Sequence, residues 1–190
     1  MALWRSSLDR ALHRNRSLPY ARYLQLATVR TDGRPANRTI VFRGFMEGTE
    51  RLKFVTDARN EKADQINHSA WGEACWYFPK TREQFRIMGS LILVGEGSTD
   101  SGLQQARQAS WNELSDSARS QFAWAHPGKP RAGDEGFTVA PPDAAIPLPH
   151  FCLLLLQPDR VDHLELRGNP QNRRIYIRDG QSWSTQEVNP

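Results

Sequence analysis

The sequence predicts a mainly β protein of the α+β class, in which a β-barrel carries peripheral helices. Three observations lead to this fold class: strand-like segments are short and numerous, helical segments are few, and Asp-Gly pairs typical of tight hairpins occur at positions 32–33 and 179–180. Many short strands with few helices favour a closed barrel. Periodicity alone leaves a two-sheet sandwich as an open alternative.

The first third of the chain predicts a helical arm followed by an antiparallel meander. The segment 6–9 (SSLD) has the pattern of an N-cap with a carboxylate in the first turn, which predicts a helix over 7–16 within an N-terminal arm of residues 1–20. Alternating and β-branched runs then predict three consecutive strands. These strands are expected at 23–29, 36–45 and 52–56.

The rest of the chain predicts two helices, a long loop and further strands, all within a single domain of residues 1–190. Asn60 can cap a helix over 61–68, and apolar spacing predicts a second helix over 103–122. Six prolines mark 126–149 as a loop. The remaining strands, which bring the total to about nine, are expected at 74–78, 85–94, 151–156, 161–166, 174–177 and 183–188.

Charge is distributed unevenly along the sequence. The 190 residues carry a net charge of +4, and 21 of the 25 cationic side chains are arginine. Residues 1–43 hold nine arginines against two aspartates. This basic segment predicts an anionic ligand, a nucleic acid or an acidic neighbouring surface, although codon usage in a GC-rich genome would produce the same arginine bias.

The composition also excludes several classes of protein. The longest apolar run, 151–156, is far shorter than the roughly 20 residues of a transmembrane helix, so no membrane partner is expected. Cys75 and Cys152 are isolated, which predicts a reduced, cytoplasmic protein. The five histidines lack metal-ligand spacing, so no metal is expected, and neither a nucleotide-binding glycine motif nor a nucleophile elbow occurs.

Two polar clusters stand out as candidate sites. Arg38 and Arg43 flank an apolar stretch of one predicted strand, where a charge needs a partner. Residues 56–62 (TDARNEK) combine a strand end, a turn and a helix start, so that backbone N–H groups, a hydroxyl and a cation converge as a phosphate requires. Solvated strand arginines and an ordinary capped helix remain open alternatives on the residues alone.

These two clusters, in this order, resemble the first two motifs of the pyridoxamine 5′-phosphate oxidase family. The segment 82–89 (REQFRIMG) is similar to the third motif of that family, and 172–176 (NRRIY) is similar to the fourth. The segment 166–173 (LRGNPQNR) also resembles a branch of cyanobacterial FMN-binding relatives. The resemblance covers roughly residues 20–190, nearly the whole chain.

The resemblance implies an FMN-binding split β-barrel that works as a homodimer, with FMN in the groove between the subunits. Arg38 and Lys62 would neutralise the FMN phosphate, and Thr56 would add a hydroxyl. Gln84 and Arg173 would hydrogen-bond the polar edge of the isoalloxazine ring. The further cofactor-binding positions that the resemblance implies are Thr39, Ile40, Val41, Arg43, Val55, Arg59, Asn60 and His163.

The implied activity is that of an FMN-dependent oxidoreductase, which oxidises a primary amine or alcohol such as pyridoxamine or pyridoxine 5′-phosphate with O₂. No side chain is assigned as a catalytic residue. The substrate-binding positions that the resemblance implies are Arg43, Asn169 and Gln171. They depart from the family, because Asn169 and Gln171 stand where it has an arginine and a histidine, while Arg43 replaces a lysine and could still reach a phosphate. The substrate and the electron acceptor therefore stay open.

Three alternatives follow from these departures and from the charge. The chain could be an FMN-binding oxidoreductase of another substrate, or a flavin carrier without turnover. A basic β-barrel that binds nucleic acid is the alternative from another class, since such folds combine a basic groove with aromatic stacking platforms. The resemblance favours the flavin over the nucleic acid, so no nucleic-acid partner is expected.

Overall fold

The computed structural model describes residues 2–190, which form four helices and eight strands. The helices are α1 (Leu3–Asn15), α2 (Glu61–His68), α3 (Ser101–Asn112) and α4 (Asp116–Ala123). The strands are β1 (Tyr23–Val29), β2 (Pro35–Val41), β3 (Leu52–Asp57), β4 (Trp71–Phe78), β5 (Glu83–Val94), β6 (Phe151–Glu165), β7 (Asn172–Asp179) and β8 (Ser182–Val188).

All eight strands belong to one antiparallel sheet in the order β2-β1-β4-β5-β6-β7-β8, with β3 paired to β6 off this path. The 15-residue β6 is the central strand, because its first half pairs with β3 and its second half with β7, while β5 runs along both halves. Beyond the end of β2, the chain meets β3 through an isolated bridge between Phe45 and Leu52. The mainly β class with peripheral helices is confirmed, and the closed barrel that strand composition favoured is corrected, since no ladder within residues 2–190 closes the sheet.

A bulge lets β5 and β6 stay paired over their whole length. The register between the two strands shifts between Met88 and Gly89, opposite Gln157 and Pro158. A Cβ atom on Gly89 would lie 1.9 Å from the carbonyl oxygen of Gln157. This position therefore requires glycine, because only a residue without a side chain allows the two backbones to approach so closely.

The main core lies between the inner face of the sheet and α1. Trp4 and Leu8 of α1 are fully buried and pack with Leu24, Phe54 and Trp76 from the strands. A smaller cluster joins α3 and α4 to the start of β6, and it consists of Trp111, Leu114 and Phe151. This second cluster fixes the position of α4 beside the end of β3.

Several predicted boundaries need correction. The helix predicted over 7–16 begins at Leu3, and Ser7 is buried inside it rather than at its cap. The single helix predicted over 103–122 is interrupted, because the Ser115 hydroxyl accepts a hydrogen bond from the Ala118 N–H and starts α4. The strands predicted at 151–156 and 161–166 are both parts of β6, so residues 2–190 contain eight strands instead of nine.

Other predicted elements agree with the structure. The helix predicted over 61–68 is α2, although Asn60 at its N-cap position makes no side-chain capping hydrogen bond. Both Asp-Gly hairpins are present, with Gly33 and Gly180 at φ of 81° and 58°. Residues 126–149 contain one short 3₁₀ turn, Asp134–Gly136. None of the helices in residues 2–190 has the length and hydropathy that a bilayer crossing needs.

Candidate functional site

A cavity of about 640 Å³ opens between the edge of the sheet and the segment that follows α4. One wall comes from β2, the end of β3 and the start of α2. Nine of the residues that the sequence singled out line this wall, and they are Arg38, Thr39, Ile40, Val41, Arg43, Val55, Thr56, Asn60 and Lys62. The structure thus brings together the two polar clusters, which lie on separate segments of the sequence.

The polar end of the cavity is built around two cations. The Lys62 Nζ donates a hydrogen bond of 2.5 Å to the Thr56 hydroxyl. The Arg38 guanidinium donates to the Thr28 hydroxyl at 2.5 Å and to Oε1 of Gln65 at 2.8 Å. Both cations are therefore held by neutral oxygens, which orient them without neutralising their charge.

Gln65 is a positioning residue that the sequence analysis did not single out. It is 2% exposed, and its Oε1 accepts hydrogen bonds from both Arg38 and Thr28. Its side-chain NH₂ donates to Glu61 at 2.7 Å, which fixes the orientation of the amide. A buried glutamine on the inner face of α2 was the signal that could have identified it, because a buried amide needs partners.

The surroundings of Lys62 disfavour its positive charge. Burial is the largest cause and the neighbouring Arg38 the second, and together they lower the pKa of Lys62 from 10.5 to about 8. Burial also lowers the pKa of Arg38. A dianionic phosphate placed between these cations would reverse both effects, so this end of the cavity has the charge and the donors that a phosphate group needs.

Arg59 lies beside the cavity and serves another purpose. Its guanidinium forms a bidentate ion pair with Asp57, with the shortest N–O distance at 2.6 Å. It also donates to the carbonyl oxygens of Phe122 and Trp124 at 3.0 and 3.3 Å. Arg59 therefore ties the end of α4 to the end of β3 and neutralises the carboxylate of Asp57.

The opposite wall consists of residues that the sequence analysis did not identify. Its apolar part comes from Leu114, Phe122, Trp124 and Phe137. Aromatic residues just before and within the proline-rich segment 126–149 were the available signal, since such a segment gains order by packing its own side chains. Together with Ile40, Val41 and Val55 across the cavity, this wall offers an apolar slot to a flat ring.

Three predicted cofactor residues lie elsewhere, on the other half of the β5–β6–β7 sheet. Gln84 pairs with Leu164 in the β5–β6 ladder. Arg173 forms a bidentate ion pair with Asp162, at 3.0 and 2.7 Å. His163 is 2% exposed and stacks on Phe85, with ring centroids 4.1 Å apart. None of the three lines the cavity in residues 2–190.

His163 is part of a buried hydrogen-bonded pair. Its Nε2 lies 2.9 Å from a carboxylate oxygen of Glu83. Burial alone would raise the pKa of Glu83, but hydrogen bonds from His163 and Thr81 outweigh burial and lower it. Glu165, whose carboxylate comes within 4.8 Å of these groups, pairs with Arg174 at 3.1 Å. The cluster is thus a network of one hydrogen-bonded pair and one ion pair that joins β5, β6 and β7.

The predicted substrate residues Asn169 and Gln171 lie in the turn between β6 and β7. This turn contains a cis peptide bond between Asn169 and Pro170, and Asn169 is exposed. Like Gln84 and Arg173, both residues belong to the far end of the sheet and do not line the cavity. Arg43 is the one predicted substrate residue that does.

The cavity fits FMN. Its polar end offers cationic and hydroxyl donors for a phosphate, and its apolar walls face each other across a space suited to an isoalloxazine ring. An open split β-sheet with such a cavity at its edge defines the class of FMN-binding split-barrel flavoproteins.

Comparison with known proteins identifies the family. Residues 1–95 match the family model described as the FMN-binding domain of pyridoxamine 5′-phosphate oxidase. A pyridoxine/pyridoxamine 5′-phosphate oxidase 2 of Arabidopsis thaliana is 36% identical over 194 residues, covering 100% of this chain and 98% of that protein. The chain belongs to the pyridoxamine 5′-phosphate oxidase family of FMN-binding proteins, and FMN is its cofactor.

Solved structures agree with this assignment. A pyridoxamine 5′-phosphate oxidase-related FMN-binding protein of Nostoc punctiforme superposes with a TM-score of 0.97 and 59% identity, covering 100% of this chain and 99% of that one. PhzG of Burkholderia lata, solved with tetrahydrophenazine-1-carboxylic acid, shares the fold with a TM-score of 0.78 and 21% identity, over 98% of this chain and 89% of that one. Members of this fold thus include proteins that bind different small molecules.

Proposed function

We propose that this chain is an FMN-dependent oxidoreductase that oxidises a primary amine or alcohol such as pyridoxamine or pyridoxine 5′-phosphate with O₂. The observation that carries the proposal is the cavity, in which Arg38, Thr56 and Lys62 lie at one end and apolar walls at the other. The name of the Arabidopsis relative supports the substrate class. Because Asn169 and Gln171 differ from the family pattern, the substrate can be a related compound and not pyridoxamine or pyridoxine 5′-phosphate itself.

The residues of this chain bind and orient the reactants. Arg38 and Lys62 would hold the FMN phosphate, and the Thr56 hydroxyl, which accepts a hydrogen bond from Lys62, would donate its own hydrogen to a phosphate oxygen. Ile40 and Val55, which line the sheet side of the cavity, would contact the ring and exclude water from it. When bound, the flavin supplies the hydride acceptor and the reaction with O₂.

A homodimer is part of the proposal, because within one chain the two sets of predicted cofactor-binding residues lie far apart. On β6, Thr56 lies opposite Cys152 and Gln84 lies opposite Leu164. Twelve residues of strand separate these two positions, a path of roughly 40 Å along β6 at about 3.3 Å per residue. The two positions therefore lie near opposite ends of the longest strand, and one flavin is not expected to contact both within a single chain. Gln84 and Arg173 would therefore reach the flavin in the cavity of a second copy of the chain, together with Asn169 and Gln171 on the substrate side, whereas the buried His163 has almost no exposed surface to offer it.

The nucleic-acid alternative loses support because carboxylates pair with three of the nine N-terminal arginines. Arg5 pairs with Asp9, Arg30 with Glu61, and Arg34 with Asp32. Arg38 points to buried neutral partners beside the cavity. The surface of the basic segment therefore carries fewer unpaired arginines than the nine in its sequence.

The test measures flavin content and turnover in the same preparation. The purified protein should contain FMN or take it up, and anaerobic pyridoxamine 5′-phosphate should bleach the flavin absorbance. Readmission of air should then restore the absorbance, with formation of pyridoxal 5′-phosphate and peroxide. A flavin that no amine or alcohol reduces would support the carrier alternative, whereas a flavin-free protein that shifts labelled nucleic acid would support the nucleic-acid alternative.

A further inference from the structure

The segment after α4 forms a compact closed loop, which we call the 125–136 loop. The Ala125 N–H donates to the carbonyl oxygen of Gly136 at 2.9 Å, so the two ends of the loop meet. Just outside these ends, Trp124 and Phe137 pack edge to face with ring centroids 5.9 Å apart. A loop with joined ends and its own packed side chains has a defined shape and can present side chains to a ligand.

The base of the loop is fixed to the cavity wall. Arg59 donates to the carbonyl oxygens of Phe122 and Trp124, and it is itself held by Asp57 at the end of β3. The ring of His150 contacts the same Phe122 carbonyl through Nε2 at 2.5 Å. The loop is therefore anchored next to the residues that bind the cofactor phosphate.

Two cations of the loop face the cavity. Lys129 and Arg131 both belong to its lining, together with His126. The Arg131 guanidinium lies 4.8 Å from the ring centroid of Phe137, which holds its side chain. Neither Lys129 nor Arg131 forms a salt bridge within residues 2–190, so their charge is available to a ligand.

The cavity carries more positive charge than FMN needs. A phosphate monoester has a charge of about −1.5 to −2 at neutral pH, which Arg38 and Lys62 together balance. Lys129, Arg131 and Arg43 remain as further cations in the lining. The one carboxylate of the lining in residues 2–190 is Asp57, and Arg59 already neutralises it. A second anionic group in the cavity would balance this remaining positive charge.

We propose that the 125–136 loop is the substrate-recognition element of this protein, and that Lys129 and Arg131 with Arg43 bind an anionic group on the molecule that is oxidised. The group is a phosphate or a carboxylate, because both accept the charge-assisted hydrogen bonds that lysine and arginine donate. The inference rests on the proposed function, since it places the substrate beside FMN in this cavity. It assigns the anion to a loop that is separate in sequence from Asn169 and Gln171.

The test titrates the FMN-loaded protein with anions that the flavin does not oxidise. The phosphate probe is 4-deoxypyridoxine 5′-phosphate, compared with 4-deoxypyridoxine. The carboxylate probe is phenazine-1-carboxylate, compared with phenazine. The double variant Lys129→Ala/Arg131→Ala is set against a matched control, Lys80→Ala/Arg34→Ala, whose exposed cations lie outside the cavity. The FMN dissociation constant is measured separately for each protein by fluorescence quenching.

The loop variant should bind the preferred anionic probe about 10- to 100-fold more weakly than the wild type does. Its dissociation constants for the uncharged probe and for FMN should change less than about threefold. The control should match the wild type. Equal affinity of the loop variant and the control for the anionic probe would overturn the proposal. Loss of FMN affinity with unchanged affinity for the anionic probe would also overturn it, because the loop would then be a flavin-binding element. A wild-type holoprotein that binds neither anion better than its uncharged counterpart would also overturn it. Failure of the wild type to bind FMN at all would instead refute the proposed function.

Discussion

Lys62 shows how one side chain can link cofactor binding to pH. It is largely surrounded by protein, lies close to Arg38, and has Thr56 as its hydrogen-bond partner. In the empty site, burial and the charge of Arg38 destabilise the protonated form of Lys62. An anion bound beside it would stabilise that form. With the FMN phosphate beside Lys62, as proposed, FMN binding and protonation of Lys62 would favour each other.

We expect the FMN dissociation constant to rise about tenfold between pH 7 and pH 9. In the free protein the pKa of Lys62 is about 8, so the ammonium form disappears as the pH rises through this window. The bound phosphate raises that pKa, and above pH 8 binding must therefore take up a proton. The phosphate itself stays doubly ionised, since its second pKa is about 6. Fluorescence titration of the apoprotein with FMN across this range provides the measurement.

The matched variant is Lys62→Arg, which keeps the charge but does not lose its proton below pH 10. Its FMN affinity should be nearly independent of pH between 7 and 9. A flat profile in the wild type, or the same slope in both proteins, would contradict the role given to Lys62.

Gly89 is a residue-scale feature on which the central strand pair depends. We expect Gly89→Ala to lower the free energy of unfolding by about 2–3 kcal/mol, because the new methyl group would meet the backbone of Gln157 and Pro158. Gly97→Ala is the control, since nothing lies within 4 Å of a Cβ at that position. Urea denaturation followed by tryptophan fluorescence compares the two. Equal stability of both variants would show that β6 can shift to make room.

At the scale of elements, the cavity depends on how α4 is tied to the sheet. Asp57 is buried at the end of β3, and Arg59 connects it to the carbonyl groups at the end of α4. The ion pair thus acts as a structural clamp between a strand and a helix. Its removal should loosen the far wall of the cavity while the sheet stays intact.

We expect Arg59→Met to weaken FMN binding and to speed tryptic cleavage after Arg131 about tenfold, because about 1.5 kcal/mol of hydrogen bonding at the base of the loop is lost. Lys129 precedes a proline and is a poor tryptic site, so Arg131 reports on the loop. The control is Arg34→Met, which removes an exposed ion pair in the β1–β2 hairpin. Unchanged cleavage in Arg59→Met would show that other contacts hold the loop.

The elements differ in how far the sequence could predict them, and the reason lies in the range of the interactions. The Asp-Gly hairpins at Gly33 and Gly180 and the helix α2 depend on neighbouring residues, so local patterns were sufficient. The break between α3 and α4 depends on capping by Ser115, a local signal that the apolar spacing obscured. The continuity of β6 through Pro158 depends on pairing with the bulge at Gly89, about 70 residues earlier in the chain, and no local pattern indicates it.

The same distinction holds for the candidate site at the scale of the whole molecule. Arg38 and Lys62 could be predicted because they lie in motifs with recognisable spacing. The wall with Trp124 and Phe137 could not, since its contribution depends on how the 125–136 loop folds back over the sheet. Gln84 and Arg173 were predicted for the same site, and the single chain keeps them apart from the cavity. A homodimer would reconcile these positions with one FMN.

The proposed homodimer makes a prediction that a monomeric site cannot satisfy. If each flavin is bound by Arg38 and Lys62 of one chain and by Gln84 and Arg173 of the other, a dimer of two different variants contains one intact site and one doubly altered site. Co-expression of Lys62→Ala with Gln84→Ala/Arg173→Ala in equal amounts makes half of the dimers mixed by chance. We therefore expect FMN in about a quarter of the sites, whereas each variant alone should retain almost none.

The control for this complementation is co-expression of Lys62→Ala with Arg38→Ala, whose altered residues line the same cavity in one chain. Every site then lacks one of the two phosphate-binding cations, so no FMN should be regained. Sedimentation velocity first tests whether the wild type is a dimer, and flavin absorbance of the purified mixtures gives the occupancy. If the first mixture regains no more FMN than the second, each site is confined to a single chain, and Gln84 and Arg173 serve only the ion pairs and ladder contacts of their own sheet.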